Sequence, residues 1–448
     1  MAKINKKFYI TTSIPYVNAP PHIGFALEAI QADVLARYHI LKGEDVFFLT
    51  GTDEHGVKVV RAAEAAGKTP QEFIDEISGK FRALKEVLNT SWDDFIRTSD
   101  QKRHWPGAQK LWLKLADAGK LYKKKYRGLY CVGHEAFITE KDLADGKCRD
   151  HKQEPEIIEE ENWFFKLSDY TKEIKDKIES GELRIVPESR KNEIMSLIKE
   201  GLEDISFSRP KKDLSWGVPV PNDPEHTMYV WCDALSNYIS AIGYANDKKK
   251  FKKWWPADVH VIGKDILRFH AAIWPGMLLA AGLELPKTIF VHGFITVGGE
   301  KMSKTVGNII DPFEVVKKYG ADALRYYLLR EIPSYSDGDF TYEKFEERYN
   351  ADLAKGLGNL VARVLTLAEK SDVKIESKLF SEIIKDVKGN IDELIKDFKF
   401  NEALAAVWQL ISAGDKYIDD KKPWTLAADS EEYKKIIGSL LSLISEIS

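Results

Sequence analysis

Cysteine is scarce: three residues, Cys131, Cys148 and Cys232, in a chain of 448. That excludes a disulfide framework at this length. No apolar run reaches the roughly 18 residues that cross a bilayer, so no membrane partner is expected. Residues 1–7 are short and basic and lead straight into a strand-like run, with no signal peptide. These absences predict a cytoplasmic protein. Internal repeats and low-complexity tracts are also missing. So is a strong charge of either sign: 66 basic residues face 70 acidic ones, a net charge of −4. A sum near zero neither supports nor excludes nucleic acid, because binding needs only a local basic surface. Two basic clusters exist, Lys123, Lys124, Lys125 and Arg127, and the run from Lys248 to Lys253. For each, a solvated charged face is the default reading.

What is present is ordinary for a globular protein. The chain is 44% hydrophobic and 30% charged, enough to bury a sizeable core. Its length suggests about three domains at roughly 150 residues each. Phe8 to Ile14 is an apolar strand-like run, followed by the turn Asn18-Ala19-Pro20-Pro21. Ile23, Leu27, Ile30, Val34 and Leu35 then keep helical spacing up to Gly43. Val46 to Leu49 is a second buried strand, and strand–helix–strand is the unit of a parallel sheet. Residues from about 116 to about 225 are more charged and read as an insertion. The α/β pattern returns with a strand at Val259–Ile262, an amphipathic helix at Asp265–Leu279 and a strand at Ile289–Thr296. From about Tyr342 onward helical periodicity dominates, which predicts a bundle. Its stripe Ile436, Ile437, Leu440, Leu441, Ile444 and Ile447 runs to the last residues, so the chain is either a compact version or truncated at its C-terminus.

Three constellations carry chemistry. Pro20-Pro21-His22-Ile23-Gly24 sets a histidine and a glycine at a helix N-terminus after a strand, where outward N–H groups and the helix dipole favour anions. Alone, this is more often a surface histidine before a helix. Gly298-Gly299-Glu300-Lys301-Met302-Ser303-Lys304-Thr305 opens on two glycines, read as a mobile entry. It places two lysines around a hydroxyl, suited to surrounding a polyphosphate as charge develops. Alone, it is more often an ordinary exposed loop. Cys131-x-x-His134 and Cys148-x-x-His151 offer four ligands in two pairs, a set that satisfies tetrahedral Zn2+, with an empty knuckle as the alternative.

The first two stretches, in this order, resemble the two signature motifs of class I aminoacyl-tRNA synthetases, His-Ile-Gly-His and Lys-Met-Ser-Lys-Ser. Phe25 replaces the last histidine of the first, and Thr305 the last serine of the second. The resemblance covers nearly the whole chain and narrows to the methionyl-tRNA synthetase family through Ser13-Ile14-Pro15-Tyr16, Gly51-Thr52-Asp53-Glu54-His55-Gly56 and Ser215-Trp216-Gly217-Val218-Pro219-Val220-Pro221. Tyr229-Val230-Trp231-Cys232-Asp233-Ala234, Ile262-Gly263-Lys264-Asp265-Ile266 and Val291-His292-Gly293 extend it.

The resemblance implies an α/β fold: a Rossmann-type parallel-sheet catalytic domain, split by a zinc-knuckle insertion and followed by an all-α anticodon-binding bundle. Its expected segments are 1–115 and 226–290 for the two catalytic halves, 116–225 for the insertion, 291–345 for the lysine loop and stem contacts, and 346–448 for the bundle. It implies ATP-dependent activation of L-methionine to methionyl-adenylate and transfer to tRNA(Met). His22, Lys301 and Lys304 would be catalytic. ATP would be bound by His22, Gly24, Gly263, Lys264, Asp265, His292, Gly293, Lys301 and Lys304. Methionine would be held by Asp53 and the Ile14 carbonyl at its ammonium group. Its side chain would lie against Tyr16, Trp231, Ala234, Leu235, Tyr238, Ile266 and His270, with weak polar contacts from Tyr238 and His270 to the sulfur. Asn359, Arg363 and Trp424 would read the anticodon. One structural Zn2+ and Mg2+ on ATP are the expected metals, and a monomer the expected state. Two rivals remain: another class I synthetase, and a non-catalytic tRNA-binding paralogue, the latter motivated by Phe25.

Overall fold

Six short strands rich in β-branched and aromatic residues form one parallel sheet. They are β1 (Lys7–Thr12), β2 (Asp45–Thr52), β3 (Asp94–Arg97), β4 (Arg184–Val186), β5 (Val259–Gly263) and β6 (Thr288–His292), in the order β3-β2-β1-β5-β6-β4. Every neighbouring pair is parallel. This is a computed structural model, and it describes residues 6–133, 136–138, 140–150, 152–302, 307–375 and 378–448.

The order in which strands are laid down switches sides between β1 and β5, which run parallel and are paired through Ile10–Val259 and Thr12–Val261. In open parallel sheets such a switch point leaves a crevice beyond the carboxyl ends of the strands. The helix α1 (Ile23–Leu41) follows β1. Its buried residues include not only Ile23, Leu27 and Ile30 but also Glu28, Gln31 and Asp33. A large core of the first unit gathers Tyr9, Leu49, Tyr238, Ile262 and Trp274.

Three readings of the sequence are corrected. The segment 116–225 does not lie wholly outside the central sheet, because β4 is its edge strand, paired to β6. The rest of that segment includes an antiparallel sheet led by Leu121–Cys131 and Glu156–Phe165. Ile289–Thr296 is not one strand. It breaks after His292, and Ile295–Val297 joins a different sheet. Gly293 sits at the break, where a Cβ would lie 2.3 Å from the Ser336 carbonyl. Asp265–Leu279 is not one regular helix but a 3-10 turn, a π-helical turn at Phe269–Ile273 and a short α-helix at Trp274–Ala280.

The contacts divide the chain into two compact units, Met1–His292 and Gly293–Ser448. In the second, Ile295–Val297 pairs antiparallel with Glu300–Lys301 and parallel with Gly338–Phe340. Helices at Asn359–Ala368, Ser381–Lys396, Phe400–Lys421 and Glu431–Ile447 follow, packed on Leu360, Val364, Leu410, Ile437 and Leu440. Among the described residues no helix is long and apolar enough to cross a membrane.

Candidate active site

The loops after β1 and β2 are zipped together. Asp53 N–H donates to the Pro15 carbonyl at 2.9 Å, and Val17 N–H donates to the Asp53 carbonyl at 3.0 Å. Tyr16 and Asp53 therefore stand side by side as an isolated parallel bridge. Asp53 is only 6% exposed, so its carboxylate is held where a cation that reaches it meets little competing water. Ile14 packs partly buried on the core.

Opposite polarity gathers around a second group of rings. Trp231 stacks on Phe269 with centroids 3.7 Å apart, and the His270 ring meets Trp231 edge-on. Ala234, Leu235, Tyr238 and His270 are buried, while Ile266 is partly exposed. His270 Nδ1 lies 3.0 Å from the Ile266 carbonyl, and its Nε2 lies 2.8 Å from the Tyr238 hydroxyl. A carbonyl only accepts, so Nδ1 carries the proton. Nε2 then accepts from the tyrosine, an assignment that follows from the network. Burial lowers the His270 pKa to about 4, which keeps this ring neutral. The hydroxyl proton expected to face sulfur is thus committed to His270, and Tyr238 is left with its ring and oxygen lone pairs. Burial raises the Tyr238 pKa, and the carboxylates of Glu28 and Asp53 raise it further. The Asp53 carboxylate thus contributes to the field at the Tyr238 hydroxyl.

A third group surrounds Gly263. A Cβ there would sit 2.9 Å from Asp265 Oδ1 and 3.8 Å from His292 Cε1. His292 Nε2 donates to Glu28 Oε2 at 2.9 Å, and Ser13 Oγ donates to Glu28 Oε1 at 2.6 Å. Glu28 thereby ties the ends of β1 and β6 to α1. Sequence reasoning missed it; the available signal was a carboxylate inside an otherwise apolar helical stripe. His22 caps α1, its Nδ1 accepting from Gly24 N–H at 3.1 Å. Desolvation lowers the His22 pKa, opposed by the Asp265 carboxylate. Lys264 lies on the 3-10 turn Lys264–Ile266. Phe25 points into the core, edge-on to Phe81 at 5.1 Å.

The first unit thus brings Asp53, Tyr238, Glu28, His292, Gly263 and Asp265 to the carboxyl ends of β1, β2, β5 and β6. Lys301 belongs to the second unit, its ammonium 5.2 Å over the Phe294 ring. Lys304 lies outside the described residues. The two glycines before the lysines, read as a mobile entry, form a tight turn. Gly298 and Gly299 have φ of 61° and 82° and close a two-residue hairpin, a turn that favours glycine. Gly299 N–H is anchored on Asp339 at 2.8 Å, and Thr296 Oγ1 donates to the same oxygen at 2.8 Å.

Cys131 and Cys148 are both buried, in one small cluster with Ile138. His134 and His151 lie outside the described residues. Among the described residues no group of three or more potential ligands gathers to hold a metal. Acidic residues stand near parts of both basic clusters. Lys125 and Arg127 face Glu161 and Glu159 across the ladder, and Lys253 meets Asp45 at 2.6 Å. In the second unit, Arg363 bonds Asp419 at 2.6 Å and lies 5.9 Å over the ring of Trp424, which is half exposed. Trp424 sits on a 3-10 turn rather than on a helix. Asn359 is exposed one turn before Arg363.

The family described as "tRNA synthetases class I (M)" matches this chain over residues 8–149 and 138–365. The methionine--tRNA ligase of Caldanaerobacter subterraneus subsp. tengcongensis is 45% identical over 99% of this chain and 70% of its own length. That of Thermotoga maritima is 45% identical over 94% of this chain and 69% of its own. A solved Mycobacterium tuberculosis methionyl-tRNA synthetase in complex with methionyl-adenylate superposes with a TM-score of 0.93 at 38% identity, covering 99% of this chain and 90% of that one.

Proposed function

Because the chain belongs to the methionine--tRNA ligases of the class I tRNA synthetase family, we propose that the crevice at the carboxyl ends of β1, β2, β5 and β6 is where it activates methionine. Membership carries the overall reaction: ATP-dependent formation of methionyl-adenylate, then transfer of the methionyl group to tRNA(Met). The reading of individual residues rests above all on the pairing of a buried carboxylate, Asp53, with an apolar aromatic wall within its electrostatic reach.

Asp53 takes the substrate ammonium, assisted by the Ile14 carbonyl, and leaves the carboxylate of methionine pointing away. Tyr16, Trp231, Ala234, Leu235, Tyr238, Ile266 and His270 enclose the thioether. Neutral His270 and its committed tyrosine offer no charge, which suits an uncharged, polarizable side chain. Gly24 and Gly263 leave room for a nucleotide, Asp265 accepts from ribose hydroxyls, and His292 and Gly293 border the base, with Lys264 towards the α-phosphate. His22, Lys301 and Lys304 stabilise charge on the polyphosphate as the methionine carboxylate attacks the α-phosphorus and pyrophosphate leaves. Catalysis is then positioning plus charge stabilisation, with no covalent enzyme intermediate. Mg2+ bound to the phosphate oxygens supplies further neutralisation.

Cys131, His134, Cys148 and His151 are proposed to hold one structural Zn2+, supported by the spacing and by the two buried thiols in one cluster. Asn359, Arg363 and Trp424 are proposed to read the anticodon, with Trp424 stacking on a base. A cytoplasmic monomer completes the reading.

The test is methionine-dependent ATP–pyrophosphate exchange. Asp53→Asn should raise the methionine KM by about 10- to 100-fold, the size of a lost charged hydrogen bond, and leave the KM for ATP nearly as it was. Exchange with unaltered methionine KM in this variant would remove Asp53 from the site.

A further inference from the structure

We propose that Asp233, clamped between His55 and His104, sets the distance between the ammonium and side-chain ends of the amino-acid site, and is therefore a positioning residue for methionine selectivity. The inference rests on the proposed roles of Asp53 and of the Trp231–Tyr238 segment.

Both carboxylate oxygens of Asp233 are engaged. His55 Nδ1 donates to Oδ2 at 2.5 Å, and His104 Nε2 donates to Oδ1 at 2.6 Å. All three side chains are buried. Burial would raise the Asp233 pKa, but electrostatic attraction to His55 and the hydrogen bonds from His104 and His55 outweigh it and hold the carboxyl below its ordinary range.

The clamp joins parts that sequence separates widely. His55 lies two residues beyond Asp53, on a stretch that is itself fixed. Trp216 Nε1 donates to the Glu54 carbonyl at 2.7 Å, and Arg97 holds the Glu54 carboxylate at 2.7 Å. Asp233 lies between Trp231 and Ala234 on the helix Val230–Leu235. His104 precedes the helix Trp105–Asp117, and its Nδ1 is 2.9 Å from Ser240 Oγ, two residues past Tyr238. Gly107 lets that helix approach so closely that a Cβ would lie 2.4 Å from Ser240 Cβ. The segment bearing the pocket rings is thus gripped at Asp233 and at Ser240, and its near end is tied to the strand end that carries Asp53. None of the three clamp residues is among the proposed methionine contacts, yet the clamp fixes how far the aromatic wall stands from the ammonium partner.

A pocket of fixed length discriminates one methylene by about 10- to 200-fold. The experiment compares kcat/KM in pyrophosphate exchange for methionine and for ethionine, one methylene longer. In Asp233→Asn, His55→Ala and His104→Ala the methionine-to-ethionine ratio should fall by about tenfold. His55→Asn, whose amide N–H replaces Nδ1–H, should keep the wild-type ratio. A role in folding alone would scale both substrates equally, so an unchanged ratio in the alanine variants overturns the proposal, even if Asp233→Asn does not fold. Asp53→Asn, run alongside, separates the two claims. If it leaves the methionine KM intact, the underlying site reading fails. If it raises KM while the alanine variants keep the ratio, only the clamp fails.

Discussion

His270 shows how one buried ring fixes chemistry and stability together. Its Nδ1–H goes to the Ile266 carbonyl and its Nε2 accepts from Tyr238, so a second proton has no acceptor to reward it. Its folded pKa of about 4 lies below the ordinary value near 6.5. The unfolded chain therefore binds more protons between these limits, and stability rises with pH across them. The contribution is complete above about pH 6.5 and is lost as pH falls towards 4, about 3 kcal/mol over the whole range. Urea unfolding of wild type and His270→Gln between pH 7 and pH 4.5 measures it. The variant should show a shallower loss of stability on the acid side by close to one proton, and parallel slopes would contradict the assignment. At this scale the sequence displayed the motif residues, Asp53 and His22 among them, because their chemistry is written in residue type. Glu28 showed only as a carboxylate inside an apolar helical stripe, and the partners of Asp233 did not show at all, because a hydrogen bond between residues more than a hundred positions apart leaves no local mark.

Elements were legible in proportion to their length and their local pattern. The apolar runs behind β1, β2 and β5 stood out, as did helical spacing after Ile23 and after Tyr342. The edge strand β4 did not, since three residues between polar stretches carry no periodicity. The break at Gly293 was equally hidden, because its cause is the distant Ser336 backbone. The tip of the insertion poses a separate problem of scale. Its buried cluster is Cys131, Ile138 and Cys148, with Leu129 and Leu143 partly buried. Apolar burial there is small among the described residues, and small cores of this kind commonly rely on a metal or another staple. Purified protein should accordingly carry close to one equivalent of zinc. Chelation or Cys148→Ser should raise amide exchange across residues 129–153 while the central sheet stays protected. Zinc far below stoichiometry, with the same residues still protected, would mean that the tip orders itself by other means.

At the scale of the whole molecule, chemistry is divided between units. The proposed methionine contacts and most ATP contacts lie in Met1–His292, and the proposed anticodon readers lie in Gly293–Ser448. Such a division predicts that damage to the readers spares activation. Trp424 is the sharpest probe, because a half-exposed tryptophan beside Arg363 and Pro423 has little packing to lose. Base stacking on an aromatic ring is worth about 1–3 kcal/mol, so Trp424→Ala should lower kcat/KM for tRNA by roughly 5- to 150-fold. Trp424→Phe, which keeps a π-face, should recover much of that. Methionine-dependent pyrophosphate exchange, which needs no tRNA, should run at the wild-type rate in both. A core role for the ring would instead lower the melting temperature and depress exchange and charging together, and that outcome would take Trp424 out of the tRNA interface.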